Sequence, residues 1–204
     1  VGWEVEAMGP GDFLRNHFRM YRLWILERDL DATAAEEPEP APANVEIRFL
    51  DRHARRDWIC QHAGREADWP QFRAALLHDH DLVVAWQDGQ PIGWAWIGYV
   101  RVFLPPLGRE ICLPAGTAYL YEAFVRPSAR GRGIGRALVG ARCQRAASLG
   151  YARLLTHVLD GNVPSLRALR THGFSTSGRT HFLRAPLVRV WTRSPLPAPS
   201  AVQS

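Results

Sequence analysis

The residues best suited to chemistry form the segment Arg130-Gly-Arg-Gly-Ile-Gly135. Closely spaced glycines let the backbone approach a ligand and adopt conformations that a Cβ atom would forbid. The preceding residues, Ala118 to Val125, are rich in aromatic and β-branched types and predict a strand, which Pro127 ends. Apolar residues at helical spacing from Arg136 to Leu149 predict a helix. The segment is therefore a glycine-rich loop between a strand and the start of a helix.

The chemistry that this loop can perform is anion binding. The first amides of a helix have no partner within the helix, and they lie at the positive end of its dipole. Such a helix end can bind a phosphate or pyrophosphate, and Arg130, Arg132 and Arg136 can share their charge with it. A turn that merely requires glycine would show the same residues, so the loop alone leaves both interpretations open.

Composition is typical of a globular protein, with 47% hydrophobic and 22% charged residues. The net charge is +5, but all 25 basic residues are arginine, which indicates compositional bias rather than a nucleic-acid-binding surface. Three isolated cysteines argue against a disulfide framework and a zinc site. We therefore expect a cytoplasmic protein with no nucleic-acid partner and no metal. We also expect no membrane span, because no run of about 18 apolar residues occurs.

Residues 1–43 are predicted to precede the main domain. Aromatic and apolar residues at three-to-four spacing between Pro10 and Leu30 predict an N-terminal helical extension, which docks on the domain or, alternatively, on a membrane or partner. The acidic, proline-rich segment from Asp31 to Ala43 predicts a linker. At the other end, residues 195–204 predict a disordered tail.

Residues 44–194 predict one α/β domain. An alternating strand from Val45 to Phe49 leads into two short helices between residues 52 and 78. Asp88-Gly89 between two apolar runs predicts a hairpin, whose second strand runs to Val102, and Phe103 to Gly116 predicts a long loop. The elements predicted after the glycine-rich segment are a strand (152–158), a helix (163–171) and two final strands (174–183 and 187–191).

This order of elements, together with two motifs, resembles the GNAT acetyltransferase superfamily. The first motif is Val125-Arg-Pro-Ser-Ala-Arg130-Gly-Arg-Gly133-Ile-Gly135, and the second is Asn162-x-x-Ser165-x-x-x-Leu169-x-x-x-Gly173-Phe174. Two motifs at this separation and in this context are more specific than either alone. The resemblance covers about residues 44 to 193. It implies a mixed central sheet of about seven strands flanked by helices.

The resemblance implies an N-acetyltransferase that moves the acetyl group of acetyl-CoA to a primary amine of a small molecule or, alternatively, of a protein. Transfer in the family is generally direct, with loop amides on the pyrophosphate and a strand amide polarising the thioester carbonyl. The implied partners are acetyl-CoA and an amine, and a homodimer is compatible with the sequence. The implied contacts with acetyl-CoA are Phe124, Val125, Arg130, Gly131, Arg132, Gly133, Ile134, Gly135, Arg136, Ala137, Asn162 and Ser165.

Glu122 and Tyr121 are the candidates for handling the proton of the amine, which must be lost before attack. Glu122 is the sole carboxylate in the central strand and is the leading general base, although a structural ion pair is the alternative role. Strict alternation would place it on the opposite face from Tyr121. A bulge, common in the family, would change that count, so Tyr121 stays a candidate beside it.

Leu169 stands where many family members have a tyrosine that protonates the departing thiolate. Leucine cannot donate a proton, but a thiolate is a tolerable leaving group because thiol pKa values lie near ~8.5. Tyr121, Ser165 and His172 are possible substitutes, and no general acid is assigned. The missing tyrosine also permits a second interpretation, a GNAT-fold module that binds acyl-CoA and a partner without turnover.

Other residues allow functional roles that compete with structural ones. Trp94 and Trp96 share one strand face, with Trp86 across the hairpin, and they form either an acceptor site or core beneath the helices. His78 and His80 have no third ligand nearby in sequence, which argues against a metal site. A Rossmann nucleotide-binding unit is disfavoured, because the hairpin contradicts its strand–helix alternation.

Overall fold

An eight-stranded mixed sheet organises the protein, in the strand order β10-β9-β1-β8-β7-β4-β3-β2, and β5 pairs separately with β6. The computed structural model describes residues 19–30, 40–62, 70–105, 108–184 and 189–195. The strands are β1 (Arg19–Asp29), β2 (Glu46–Leu50), β3 (Asp81–Gln87), β4 (Gln90–Tyr99), β5 (Arg101–Leu104), β6 (Arg109–Cys112), β7 (Thr117–Val125), β8 (Arg153–Leu159), β9 (Ser175–Arg184) and β10 (Arg189–Pro195). The helices are α1 (Arg52–His62), α2 (Pro70–Leu77), α3 (Ile134–Ser148) and α4 (Val163–Thr171), with a 3-10 turn at Pro127–Ala129.

Helices cover the two faces of the sheet in different places. On one face, α3 packs on β3 and β4 through Ile134 and Leu138, and its second half joins Leu169 of α4 above Leu120 and Leu154. On the other face, α1 and α2 pack around a cluster that includes Trp58, Ala75 and Trp96. We call these the α3–α4 face and the α1–α2 face. The predicted mixed sheet flanked by helices is confirmed, and the hairpin at Asp88-Gly89 joins β3 to β4.

Strand β1 corrects the predicted N-terminal helical extension, which is wrong for residues 19–29. It lies between β8 and β9, antiparallel to both, so the sheet begins well before residue 44. Leu23 and Leu26 point to opposite faces and are only 4% and 0% exposed. Because β1 buries a side chain on each face it shows no clear apolar alternation, and the aromatic and apolar residues at three-to-four spacing in this segment imitate a helix. The rest of the predicted helix, most of the linker and the tail from residue 196 lie outside the described residues.

The predicted loop from Phe103 to Gly116 is also partly wrong, because it contains most of the β5–β6 hairpin. Arg101 pairs with Cys112, and Leu104 pairs with Arg109. Val100 has a positive φ of 57°, which separates β5 from β4 and ends the strand that we predicted to run on to Val102. No helix among the residues described above is long and apolar enough to cross a membrane.

If β1 is integral to the fold, Leu26→Ala should lower the free energy of unfolding by about 2–5 kcal/mol, because it leaves a cavity between β1 and the α3–α4 face. Leu77→Ala is the matched control, since Leu77 is 75% exposed and should change stability by less than about 0.5 kcal/mol. Urea unfolding followed by circular dichroism measures both. Equal, small effects would show that β1 does not contribute to the cooperative core.

Candidate active site

The centre of the sheet is split between β7 and β8, two neighbouring strands that run parallel to each other. Their pairing runs from Thr117–Arg153 to Leu120–Thr156 and stops there. Beyond that point β7 stays paired with β4 up to Val125, and β8 stays paired with β1 up to Leu159. The two strands therefore part, and residues 121–125 and 157–159 border an opening that we call the wedge. At its apex the Thr156 hydroxyl donates a hydrogen bond of 2.8 Å to the Leu120 carbonyl.

A β-bulge in β7 lies directly beyond this apex. Trp96 pairs with Tyr121 and Trp94 pairs with Phe124, so Glu122 and Ala123 together oppose a single residue of β4. Glu122 takes up the extra residue with a φ of 45°, in the left-handed region. The bulge that the resemblance suggested is therefore present, and simple alternation does not apply at Glu122. Glu122 itself is exposed.

The bulge places Tyr121 and Phe124 on the same α1–α2 face. The rings of Trp96 and Tyr121 stack with centroids 6.2 Å apart, and those of Trp94 and Phe124 lie 4.4 Å apart. Trp96 is fully buried, so the core interpretation holds for it. Phe124 is 37% exposed and borders the wedge.

The backbone of Val125 faces the wedge. The Arg126 amide donates to the Ile92 carbonyl over 2.9 Å, towards β4. Because backbone groups of successive strand residues point to alternate sides, the amide and carbonyl of Val125 point away from β4. That carbonyl accepts a bond of 3.1 Å from Arg130 Nε, which brings Arg130 back to the wedge. The amide of Val125 is thus directed at whatever occupies the opening.

The glycine-rich loop is anchored at both ends and open between them. Ala129 and Ile134 are buried in the core below the α3–α4 face. Gly131 and Gly133 have φ values of 76° and 85°, which favour glycine, and Gly133 is the N-cap of α3. A Cβ atom added at Gly131 or Gly135 would meet nothing within 4 Å. Within the described chain, no backbone carbonyl accepts from the amides of residues 131–135. This arrangement fits a phosphate group.

The three arginines of the loop do not converge. Arg130 turns back to Val125, whereas Arg132 donates to the Gln87 side chain over 2.9 Å, towards the β3–β4 turn. The Arg136 guanidinium lies beside Gly133, 3.5 Å from where a Cβ atom there would stand. The Ala137 amide donates to the Gly133 carbonyl over 3.0 Å and its side chain is buried, and its predicted contact with acetyl-CoA stays a prediction.

The second motif places its residues at the start and end of α4. Asn162 is the N-cap of this helix, and its side-chain oxygen accepts from the Ser165 amide over 3.3 Å. Both residues thus have a structural role in addition to the predicted contact with acetyl-CoA. Leu169 is 3% exposed within the core, so nothing at this position of the second motif can donate a proton.

Two tyrosine–histidine pairs beside the wedge were missed by sequence reasoning. Tyr121 OH lies 2.7 Å from His80 Nδ1, and Tyr119 OH is hydrogen-bonded to His157 Nδ1. His157 directly follows the apex residue Thr156 in β8. Burial lowers the pKa of both histidines to about 4 and raises the pKa of both tyrosines. The partners are 41 and 38 residues apart, so no local spacing signals them.

His78 forms a different contact, with its Nε2 atom 3.1 Å from Glu110. A separate surface cleft of about 420 Å³ lies at the β2 edge, beside Trp86 and Asp88, and none of its lining residues borders the wedge. The wedge, with its directed backbone amide and the anion-binding loop, remains the candidate active site.

Comparison with known proteins agrees with this geometry. Residues 44–174 match the family model described as Acetyltransferase (GNAT) family, and the chain belongs to this family. A mycothiol acetyltransferase from Frankia alni is 30% identical over 159 residues, covering 71% of this chain and 47% of the relative. An L-2,4-diaminobutyric acid acetyltransferase from Nocardia farcinica is 29% identical over 150 residues, covering 66% and 72%. The chain spans about half the length of the mycothiol acetyltransferases that it matches.

Solved structures support the fold. A GCN5-related N-acetyltransferase from Sphaerobacter thermophilus superposes with a TM-score of 0.57 at 18% identity, covering 89% of this chain and 54% of that one. A tandem GNAT protein from the clavulanic acid biosynthesis pathway gives a TM-score of 0.57 at 14% identity, covering 95% and 60%.

The loop can be tested at Gly135, because its φ is not positive and a side chain there meets open space. Gly135→Asp should weaken binding of CoA at least about fivefold, since repulsion between two charges at close range is worth roughly 1–4 kcal/mol. Gly135→Ala is the control and should retain binding. Isothermal titration calorimetry measures both. Equal affinity of the Asp variant and the wild type would exclude this loop as the pyrophosphate site.

Proposed function

We propose that this chain is an acetyl-CoA-dependent N-acetyltransferase that acts on a primary amine of a small molecule. The observation that carries the proposal is the wedge, which has an anion-binding loop next to it and an exposed carboxylate, Glu122, at its bulge. Acceptors of this size are supported by the names of the relatives, a mycothiol acetyltransferase and an L-2,4-diaminobutyric acid acetyltransferase.

The backbone would hold the donor. Amides of residues 131–135 would bind the pyrophosphate, and the free edge of β7 from Glu122 to Val125 would line the pantetheine arm. The Val125 amide would donate to the thioester carbonyl oxygen, a preformed interaction that lowers an acyl-transfer barrier by about 2.7–4 kcal/mol in other enzymes. These roles depend on where the backbone atoms of the loop and of β7 lie, and they require few particular side chains.

Glu122 would act as the general base. An amine that is protonated at neutral pH must lose a proton before its nitrogen lone pair can attack, and an exposed carboxylate can pass that proton to solvent. The nitrogen–carbon bond then forms and the carbon–sulfur bond breaks in a ternary complex, and the nitrogen gives up its second proton to the Glu122 carboxylate. The sulfur leaves as a thiolate, which needs little assistance because the pKa of a thiol lies near ~8.5.

The buried Leu169 favours a second candidate function, a module that binds acyl-CoA and a partner without turnover. Acetylation of a protein amine is a further alternative for the acceptor. The cytoplasmic location and a homodimer stay predictions.

Release of free CoA thiol distinguishes these functions. The protein is incubated with acetyl-CoA and a panel of primary amines that includes L-2,4-diaminobutyrate, and the thiol is followed by a colorimetric reagent. Turnover with a small amine supports the enzyme. Tight binding of acetyl-CoA without turnover on small amines or amine-bearing peptides would favour the binding module.

Glu122→Gln tests the base. We expect kcat/KM to fall about 10²–10⁴-fold, because the amide cannot accept the proton. The wild-type rate should rise with pH as the carboxylate ionises, and the variant should lose this limb of the pH–rate profile. Glu46→Gln, which alters an exposed carboxylate at the far edge of the sheet, should leave the profile unchanged. A Gln variant with the wild-type profile would exclude Glu122 as the base.

A further inference from the structure

The hydrogen bonds of His80 determine which atom carries its proton. His80 Nε2 lies 2.7 Å from the Arg101 carbonyl oxygen, which can only accept, so Nε2 must carry a hydrogen. His80 is 1% exposed, and burial lowers its pKa to about 4, so the ring is neutral at pH 7. A neutral imidazole has a single N–H, and Nδ1 is therefore an acceptor. Tyr121 must then donate its hydroxyl hydrogen to Nδ1 across 2.7 Å.

This assignment fixes what Tyr121 can do. Its one hydroxyl hydrogen is engaged by His80, so its oxygen can accept a hydrogen bond but cannot supply a proton to a thiolate. The ring is held in place, because it stacks on Trp96 and meets the His80 ring edge-on with centroids 5.7 Å apart. The suggested role of Tyr121 as a general acid does not fit this geometry.

Packing around His80 keeps this arrangement rigid. A Cβ atom at Gly98 would lie 2.3 Å from Val102 Cγ1 and 3.1 Å from His80 Cε1, so only glycine allows β4, β5 and the imidazole to meet. The Arg101 carbonyl belongs to the same hairpin strand as Val102. The β5–β6 hairpin therefore accepts the hydrogen bond from His80 Nε2, and His80 Nδ1 accepts the hydrogen bond that orients Tyr121.

Tyr121 lies at the apex of the wedge, next to the proposed general base. It directly follows the apex pair Leu120–Thr156 and directly precedes Glu122. The loop and α3 lie on the α3–α4 face, whereas Tyr121 belongs to the α1–α2 face. An amine that enters the wedge from the α1–α2 face would meet the Tyr121 oxygen and the Glu122 carboxylate from adjacent residues.

We propose that His80 is a positioning residue that fixes Tyr121 as a hydrogen-bond acceptor for the incoming amine, and that this pair selects primary amines. The proposal rests on the proposed acetyltransferase function. A neutral primary amine has two N–H groups, one for the base Glu122 and one for the Tyr121 oxygen. A secondary amine has one N–H and cannot satisfy both acceptors at once.

A double-mutant cycle tests this coupling. Tyr121→Phe and His80→Phe should each lower kcat/KM for a primary amine about tenfold, as expected for one lost hydrogen bond, and the double variant should lose no more than either single variant. KM for acetyl-CoA should stay constant. His80→Asn, whose amide oxygen can replace Nδ1, should recover most of the activity. Tyr121→Phe should also reduce the preference for a primary amine over its N-methyl analogue.

The outcomes separate the two proposals. The role of His80 alone is overturned if the wild type acetylates an amine but the losses of the two single variants multiply in the double variant. It is overturned likewise if Tyr121→Phe leaves the preference for the primary amine over its N-methyl analogue unchanged. No turnover of any amine overturns the proposed function and this role with it. Nitrogen-15 NMR of the wild-type imidazoles at pH 7 needs neither activity nor a folded variant. It should show His80 protonated at Nε2 and unprotonated at Nδ1, and the opposite tautomer would refute the assignment.

Discussion

The structure of the site depends on one interruption, the loss of β7–β8 hydrogen bonds after Leu120 and Thr156. Unpaired backbone groups inside a sheet are unfavourable unless water or a ligand satisfies them. The strands tolerate the separation because each keeps a partner on its other side, β4 for β7 and β1 for β8. The wedge therefore offers a strand edge at the centre of the sheet, where an extended ligand can pair with backbone as an added strand would.

The bulge at Glu122 and Ala123 adds side-chain chemistry to this edge. A non-glycine residue in the left-handed region costs on the order of 1–3 kcal/mol, and such strain persists where the surrounding structure holds it. Here the surrounding contacts are the Trp94–Phe124 and Trp96–Tyr121 pairs on either side. The result is that Tyr121 and Phe124 share one face although they are three residues apart. An exposed carboxylate, that of Glu122, lies in the bulge on the residue that follows the tyrosine oriented by His80.

The sequence predicted local features well and remote ones poorly. The glycine-rich loop, the helix from Val163 to Thr171 and the Asp88-Gly89 hairpin depend on a few neighbouring residues, and they lie where the sequence predicts them. The bulge could be anticipated only through the family resemblance, because no residue type in Tyr121 to Phe124 demands it. The Tyr121–His80 and Tyr119–His157 pairs join distant segments, so their existence follows from the order of strands in the sheet. The Arg101 carbonyl that fixes the tautomer of His80 has no sequence signal at all.

Strand β1 shows why the misassigned N-terminal segment matters for function. Its residues from Leu23 to Asp29 pair with the whole of β8, from Leu159 back to Arg153. Strand β1 is the antiparallel neighbour that stays paired with β8 beyond the apex. Without β1, β8 would pair with β7 again, and this pairing would close the wedge. The segment whose apolar spacing imitates a helix thus forms a strand whose position keeps the central opening available. Strand β1 is part of the support for the candidate active site, although none of the candidate catalytic groups lies on this strand.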